Sequence, residues 1–190
     1  MAFDFVAARN TMVDTQVRPN DVTDLAIQRA MRAVERERLC PPNRQPLAYA
    51  DAEVEYAPGR WLLRPRDMAK LLQAVSPRPG ERALAIAAPY AAAVMEHIGL
   101  TVTQAADGDL KAKIAGTYDV IVCEGAVGAV PAAWPAALAL DGRLGVVVRA
   151  GPVGQCRLYL RAGEGCGWRA VFDSTPPVLA GFETEAGFTF

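Results

Sequence analysis

The sequence predicts an α/β protein in which a parallel sheet is covered on both faces and extended at one edge by an antiparallel hairpin. Three observations carry that expectation. From Arg82 onward, short continuous apolar runs alternate with stretches of helical period, the pattern of buried parallel strands joined by crossover helices. Two late runs, 155–161 and 168–172, flank a Gly-rich turn over 162–167, as the arms of a hairpin do. A chain of 190 residues that is 52% hydrophobic can bury a sizeable core without disulfide or metal staples.

The first strong helix is expected over 21–38. Asn20 or Asp21 can cap it, and Leu25, Ile27, Met31 and Val34 supply an apolar stripe at helical spacing. Arg29, Arg32 and Arg36 line another face, read as solvated, and Cys40-Pro41-Pro42 ends the run because proline cannot continue a helix. A second helix starts at Pro65, a favoured first-turn residue, and turns Met68, Leu71, Leu72 and Val75 inward before Ser76-Pro77-Arg78-Pro79-Gly80. Strands follow over 83–88, 100–103 and 118–123, with a helix ending near Gly99 and another over 131–140. Asp141-Gly142 is read as a turn into a strand over 143–149. No internal repeat, low-complexity tract or interior linker interrupts the chain. A single domain over 1–190 is therefore expected, with a helical N-terminal extension over 1–80 and the sheet over 81–190.

Composition excludes several functions. Twenty Lys and Arg against 21 Asp and Glu leave a formal net charge of −1, so no long-range field steers the protein to a polyanion, and no nucleic-acid partner is expected. Cys40, Cys123, Cys156 and Cys166 show no CxxC spacing, and His97 is the single histidine. A zinc site lacks ligands, and a histidine-based catalytic pair could be built only on His97, read as a helix-surface residue. No metal is expected. No charge-free apolar run reaches the ~20 residues of a membrane span, and the first residues lack the basic and apolar regions of a signal peptide. The expected setting is cytoplasmic with reduced thiols and without direct membrane insertion.

Several segments, taken in order, resemble the protein-L-isoaspartate O-methyltransferases. Ala30-Met31, then Val34-Glu35-Arg36-Glu37 and Cys40-Pro41, are similar to the family's opening segment. Tyr49, Asp51, Gly59 and Pro65 fall at the spacing of its substrate loop. Thr117-Tyr118-Asp119-Val120-Ile121-Val122, Gly125-Ala126, Pro131 and Asp141-Gly142-Arg143-Leu144 resemble its fourth strand and the turn after it, and Gln155, Leu158 and Arg161 its late strand. The run from Met12 to Pro19 looks like a bacterial side branch. The resemblance implies a Rossmann-type class I methyltransferase fold. It also implies methyl transfer from S-adenosylmethionine to the carboxylate of isoaspartyl residues, a reaction that places two groups together and needs little acid–base help.

The departures fall on the working parts of that pattern. In Leu84-Ala85-Ile86-Ala87-Ala88-Pro89-Tyr90 only three residues separate Ile86 from Tyr90, fewer than in the family's glycine loop. Ala87, Ala88 and Pro89 replace its glycines, and Ala85 stands where an acid is expected. Asp107-Gly108 comes seventeen residues after Tyr90, too soon for a whole strand–helix unit, so the fold is expected to be shortened. Arg60-Trp61-Leu62-Leu63 stands where the family carries two hydroxyls.

Two readings therefore stand open. In the first, methyl transfer is lost, no catalytic residue remains and no cofactor binds the degenerate loop. The chain then serves as a protein-binding accessory subunit of a larger assembly, for which the resemblance offers respiratory complex I as a setting, at the periphery of a membrane-bound complex. Contacts would come from Phe3 and Phe5 in the segment 3–19, from Trp61 and Arg64, and from Phe182, Phe188 and Phe190 in the tail 176–190. Aromatic and Arg side chains of this kind are enriched at interfaces. In the alternative, the chain is an active protein-L-isoaspartate O-methyltransferase in protein repair, bound to S-adenosylmethionine; Asp107 and Asp109 then stand open to two readings, contact with a ribose or adenine and plain exposed loop acids.

Overall fold

The computed structural model describes residues 3–105, 111 and 114–183. Asp4 caps the first helix, α1 (Phe5–Met12), by accepting from the Ala7 N–H at 2.9 Å. The chain continues through a π-helical turn, Val13–Val17, in which Val13 and Val17 are buried together with Met12. The segment 3–19, from which Phe3 and Phe5 were expected to meet a partner, thus contributes Met12, Val13 and Val17 to the core. Helix α2 (Leu25–Ala33) is shorter than the expected 21–38. Asp21 adopts a left-handed conformation with φ 62°, so the cap falls to Asp24, whose carboxylate accepts from Ala26 and Ile27. At Val34 the backbone turns extended, and a 3-10 turn, Arg36–Leu39, carries Arg36 inward to zero exposure. Arg36 is not on a solvated face.

A second 3-10 run, Pro42–Leu47, leads into an antiparallel hairpin, β1 (Val54–Ala57) and β2 (Arg60–Leu62). The region 1–80 is therefore not purely helical. Gly59, at φ 68°, makes the tight turn between these strands. Helix α3 (Pro65–Val75) begins at proline as expected and ends at Ser76, also left-handed. The alternating unit follows as β3 (Arg82–Ile86), α4 (Pro89–Ile98), β4 (Thr101–Ala105), β5 (Tyr118–Val127), α5 (Ala133–Ala136) and β6 (Leu138–Val148). The hairpin β7 (Gln155–Ala162) and β8 (Gly165–Asp173) closes the order β4-β3-β5-β6-β7-β8. Strands β4, β3, β5 and β6 are parallel, and β7 and β8 are antiparallel additions. Among the described residues the main sheet has six strands and none lies beyond β4. The helix expected over 131–140 contracts to α5, because Tyr118 already pairs with Leu138 while Val120 pairs with Arg143. The residues between them, Asp141-Gly142 included, form a bulge within β6 instead of a turn before it.

The two faces of the sheet are covered differently. One packs on α2, α3, α4 and the 12–17 segment through Met12, Met31, Met68, Leu71, Leu72 and Met95. The other gathers Leu84, Ile86, Ile121, Trp134, Leu144, Leu179 and Phe182. The last two come from the segment 176–182, which runs along the end of β5. Leu179 N–H donates to Ala126 O at 2.9 Å, Gly128 N–H to Phe182 O at 2.7 Å, and Ala180 N–H to Gly59 O at 3.3 Å. No helix of the described residues is long and apolar enough to cross a membrane.

Candidate functional site

Chain order sends β3 to β4 on one side and β5 to β6 on the other, so strand order reverses at β3. In open α/β sheets the crevice outside the carboxyl ends of the strands, at such a reversal, is where ligands bind. A cleft of about 350 Å³ opens there, lined by Ala85 and the Ala87–Pro89 turn after β3, by Gln104 and Ala105 at the end of β4, and by Tyr56 from β1. That size lies at the low end for a small-molecule site, about 300–1,000 Å³.

The turn keeps a glycine-like shape without glycine. Ala87 sits at φ 45°, a left-handed conformation costing a residue with a Cβ about 1–2 kcal/mol. Its carbonyl accepts from the Tyr56 hydroxyl at 3.2 Å, so the hairpin leans on the turn. Ala88 is buried in the helix-side core, and Pro89 occupies the first turn of α4, where a missing N–H costs nothing. A second cleft, of about 340 Å³, lies across Tyr56, lined by Pro41, Asn43, Arg44, Glu55, Ala57 and Pro58.

Behind the turn lies a buried charge that the sequence did not advertise. Glu124, near the carboxyl end of β5, has no exposure. One carboxylate oxygen accepts from the Leu63 N–H at 3.1 Å and the other from the Tyr90 N–H at 3.2 Å. Arg36 lies 3.9 Å from the first oxygen and itself donates to Ala48 O at 2.7 Å and Leu63 O at 2.6 Å. Burial pushes the Glu124 carboxyl up to about 7, against the opposing pull of Arg36 and the backbone donors. The Arg36 guanidinium also stacks on the Tyr90 ring at 4.6 Å, and burial pushes the Tyr90 hydroxyl up. A neighbouring cluster adds Arg9, which donates to the Tyr49 hydroxyl at 2.8 Å and to Glu37 at 3.1 Å, while Tyr49 in turn donates to Glu37.

The residues expected to meet a partner are scattered, and several fold back. Phe3 is half exposed beside Phe5, whose ring lies 6.5 Å from that of Tyr49. Trp61 is half-buried on β2 opposite Glu55. Arg64 donates to Glu53 at 2.9 Å. Phe182 is buried, 5.6 Å from Trp134. Phe188 and Phe190, like Asp107 and Asp109, lie outside the described residues. Among the described residues no group of His, Cys, Asp and Glu gathers to hold a metal ion. Sequence reasoning missed Glu124, Arg36 and Gln104. A lone Glu in the apolar strand 118–127 was the available signal for the first of them.

A Rossmann-type parallel sheet extended by an antiparallel hairpin, with a cleft at its reversal point, matches the methyltransferase architecture. Two solved structures share it, each at TM-score 0.73. One is a protein-L-isoaspartate O-methyltransferase at 19% identity, covering 92% of this chain and 67% of that one. The other is a putative protein-L-isoaspartate O-methyltransferase from Plasmodium falciparum in complex with S-adenosyl-L-homocysteine, at 15% identity, covering 90% and 97%. No family model matches the chain. The protein-L-isoaspartate O-methyltransferase of Methylorubrum extorquens (strain PA1) is 32% identical over 178 residues, covering 80% of this chain and 77% of its own length. That of Methylorubrum populi is 31% identical over 175 residues, covering 78% and 82%. The chain belongs to the protein-L-isoaspartate O-methyltransferase family.

That membership corrects the expectation of a chain without cofactor. The relatives are named as methyltransferases, and the Plasmodium structure of the same fold is described with S-adenosyl-L-homocysteine. The physical reason is visible in the cleft. With Ala87, Ala88 and Pro89 in the turn, the backbone is still left-handed at Ala87 and the space beside it is open.

Proposed function

We propose that this chain is an S-adenosylmethionine-dependent methyltransferase acting on the carboxylate of isoaspartyl residues in proteins. The observation that carries the reading is the likeness to relatives of that name across about four-fifths of the chain, joined to an open cleft at the sheet's reversal point. The residues present fit the nucleoside half of the cofactor. The Gln104 side chain can donate to and accept from ribose hydroxyls, the Ala87–Ala88 backbone lies along the cleft, and the Tyr56 ring walls it. When bound, the cofactor supplies a methyl group on a positively charged sulfur.

The acceptor explains what the site lacks. An isoaspartyl carboxylate is already ionised at neutral pH, so no base is needed to activate it. A chain whose single histidine, His97, sits in the last turn of α4 is not thereby handicapped. What remains for the protein is to hold two groups in line and keep water away. Ala85, Ala87, Ala88 and Ala105 in the cleft lining offer apolar surface for the second task.

The decisive measurement is transfer of labelled methyl from S-adenosylmethionine to an isoaspartyl peptide, with the matched aspartyl peptide as control. Base-labile label on the isoaspartyl peptide alone is the expected result. Equal labelling of both peptides, or of neither, would overturn the reading.

A further inference from the structure

We propose that Glu124 is the positioning residue of this site: its buried carboxylate clasps the hairpin side of the cleft to the turn side and sets the spacing across which methyl donor and acceptor meet. The inference rests on the functional reading above. Its foundation is the placement of both oxygens. One takes the Leu63 N–H, immediately after β2, and the other takes the Tyr90 N–H, in the first turn of α4. A first-turn N–H has no partner within its own helix, so the carboxylate serves a donor that the helix leaves open. Arg36 grips the same loop from the other side, through Leu63 O and Ala48 O. The Leu63 residue is thus held at its N–H by an anion and at its carbonyl by a cation, both with no exposure.

A purely structural tie would not call for this chemistry. A buried ion pair contributes little to stability that a well-packed apolar pair would not match, and the upward push on Glu124 shows that desolvation opposes the charge. The Arg36 Nη1 atom has no hydrogen-bond partner, though fully buried, so the pair is not arranged for best satisfaction. What the geometry does achieve is registration of three elements that wall the cleft or back it: the β1–β2 hairpin bearing Tyr56, the β3–α4 turn bearing Ala87, and β5. The Tyr56–Ala87 hydrogen bond is a second, weaker link between the first two. The carboxylate is met by Arg36 and by the backbone N–H groups of Leu63, Tyr90 and Ala91, and its charge is felt by the Tyr90 hydroxyl and the Cys40 thiol.

The test uses the full chain in Glu124→Gln and Glu124→Asp variants, read by amide hydrogen exchange without ligand and by calorimetric titration of S-adenosyl-L-homocysteine. Gln presents an NH2 to one of the two N–H donors, and Asp is too short to span both. Losing a hydrogen bond to a charged group should speed exchange at Leu63 or Tyr90 roughly tenfold or more, with Ile121, Val122 and Val146 in the sheet unchanged. The dissociation constant should rise roughly fivefold or more in step. If Glu124→Gln does not fold, Glu124→Asp decides by the same amides. Unchanged exchange at Leu63 and Tyr90, or uniform acceleration across the sheet, overturns the clasp. A wild-type chain that binds no S-adenosyl-L-homocysteine overturns the functional reading and the role in transfer with it, while exchange still reports on the clasp itself.

Discussion

The seat of the C-terminal segment on β5 can be tested by a double-mutant cycle on Gly125 and Leu179. Leu179 has no exposure, and its truncation to Ala should cost about 3 kcal/mol through lost burial and the cavity left behind. Gly125 sits at φ 137°, and a Cβ built on it would lie 2.6 Å from Leu179 Cδ2 and 2.8 Å from Cγ. Gly125→Ala should therefore cost about 3 kcal/mol, roughly 1 from the backbone and roughly 2 from overpacking. Independent effects would sum to about 6 kcal/mol. The Leu179→Ala change deletes the very atoms that the new methyl meets, and that methyl refills part of the cavity. The double variant should accordingly lose only about 4 kcal/mol, a coupling of about 2. Urea unfolding followed by tryptophan fluorescence, to which Trp134 contributes from its buried place 5.6 Å from Phe182, reads all four corners. Additivity within about 0.5 kcal/mol would refute the contact.

Three further outcomes follow from the structure. Gln104→Glu places a carboxylate at the rim of the cleft, where a charged acceptor for ribose hydroxyls exceeds a neutral one by about 1 kcal/mol; calorimetry should show S-adenosyl-L-homocysteine binding roughly fivefold tighter, and weaker binding would count against that placement. Because burial raises the folded-state affinity of Glu124 for its proton to about 7 from an ordinary 4.5, the native state holds more proton than the unfolded chain between those values. Stability should then fall as pH rises from about 5 to 7 and level above, by roughly 3 kcal/mol at most from this group. Asp67, also pushed up chiefly by burial, works in the same direction; Glu124→Gln should flatten the slope, and a wild-type slope of opposite sign would contradict it. Deleting residues 3–19 removes Met12, Val13 and Val17 from the core, about 2 kcal/mol each. Circular dichroism should show an unfolded chain, and a cooperative melt near wild type would mean that the segment is dispensable.

Strands β3, β5 and β6 were legible because they are largely buried on both faces and read as apolar runs such as Val120-Ile121-Val122, whereas the exposed β7–β8 hairpin was legible from the Gly-rich turn between its arms. The helical 5–17 segment was not, for a physical reason. Its inward side includes Arg9 at 6% exposure, whose charge is met by Glu37 and Tyr49 far along the chain, and a π turn shifts the register of Val13 and Val17. The β1–β2 hairpin escaped notice because strands of four and three residues carry too little alternation. At the site, the turn after β3 could be located from Ile86 and Tyr90, yet its openness could not. Whether an alanine methyl fills a cleft depends on where the backbone points it. Glu124 and Arg36 illustrate the same limit: residue type predicts exposure, and only the packed fold places them face to face.

The unequal covering of the sheet divides the molecule into parts that should open at different free energies. The helical face is sealed by four segments from the first hundred residues, whereas the opposite face depends on the four-residue α5 and on Leu179 and Phe182. Detaching the segment 176–182 exposes two large side chains and the end of β5 while leaving every pairing of the parallel strands intact. Such partial opening costs less than global unfolding. A protease would therefore sample this segment from a nearly native molecule, and the β1–β2 hairpin would lose its tie through Gly59 and Ala180 while keeping those to Glu124 and Ala87. Sensitivity to cleavage thus measures how firmly a few residues grip the end of β5, separately from the ties to Glu124 and Ala87 that hold the cleft's Tyr56 wall.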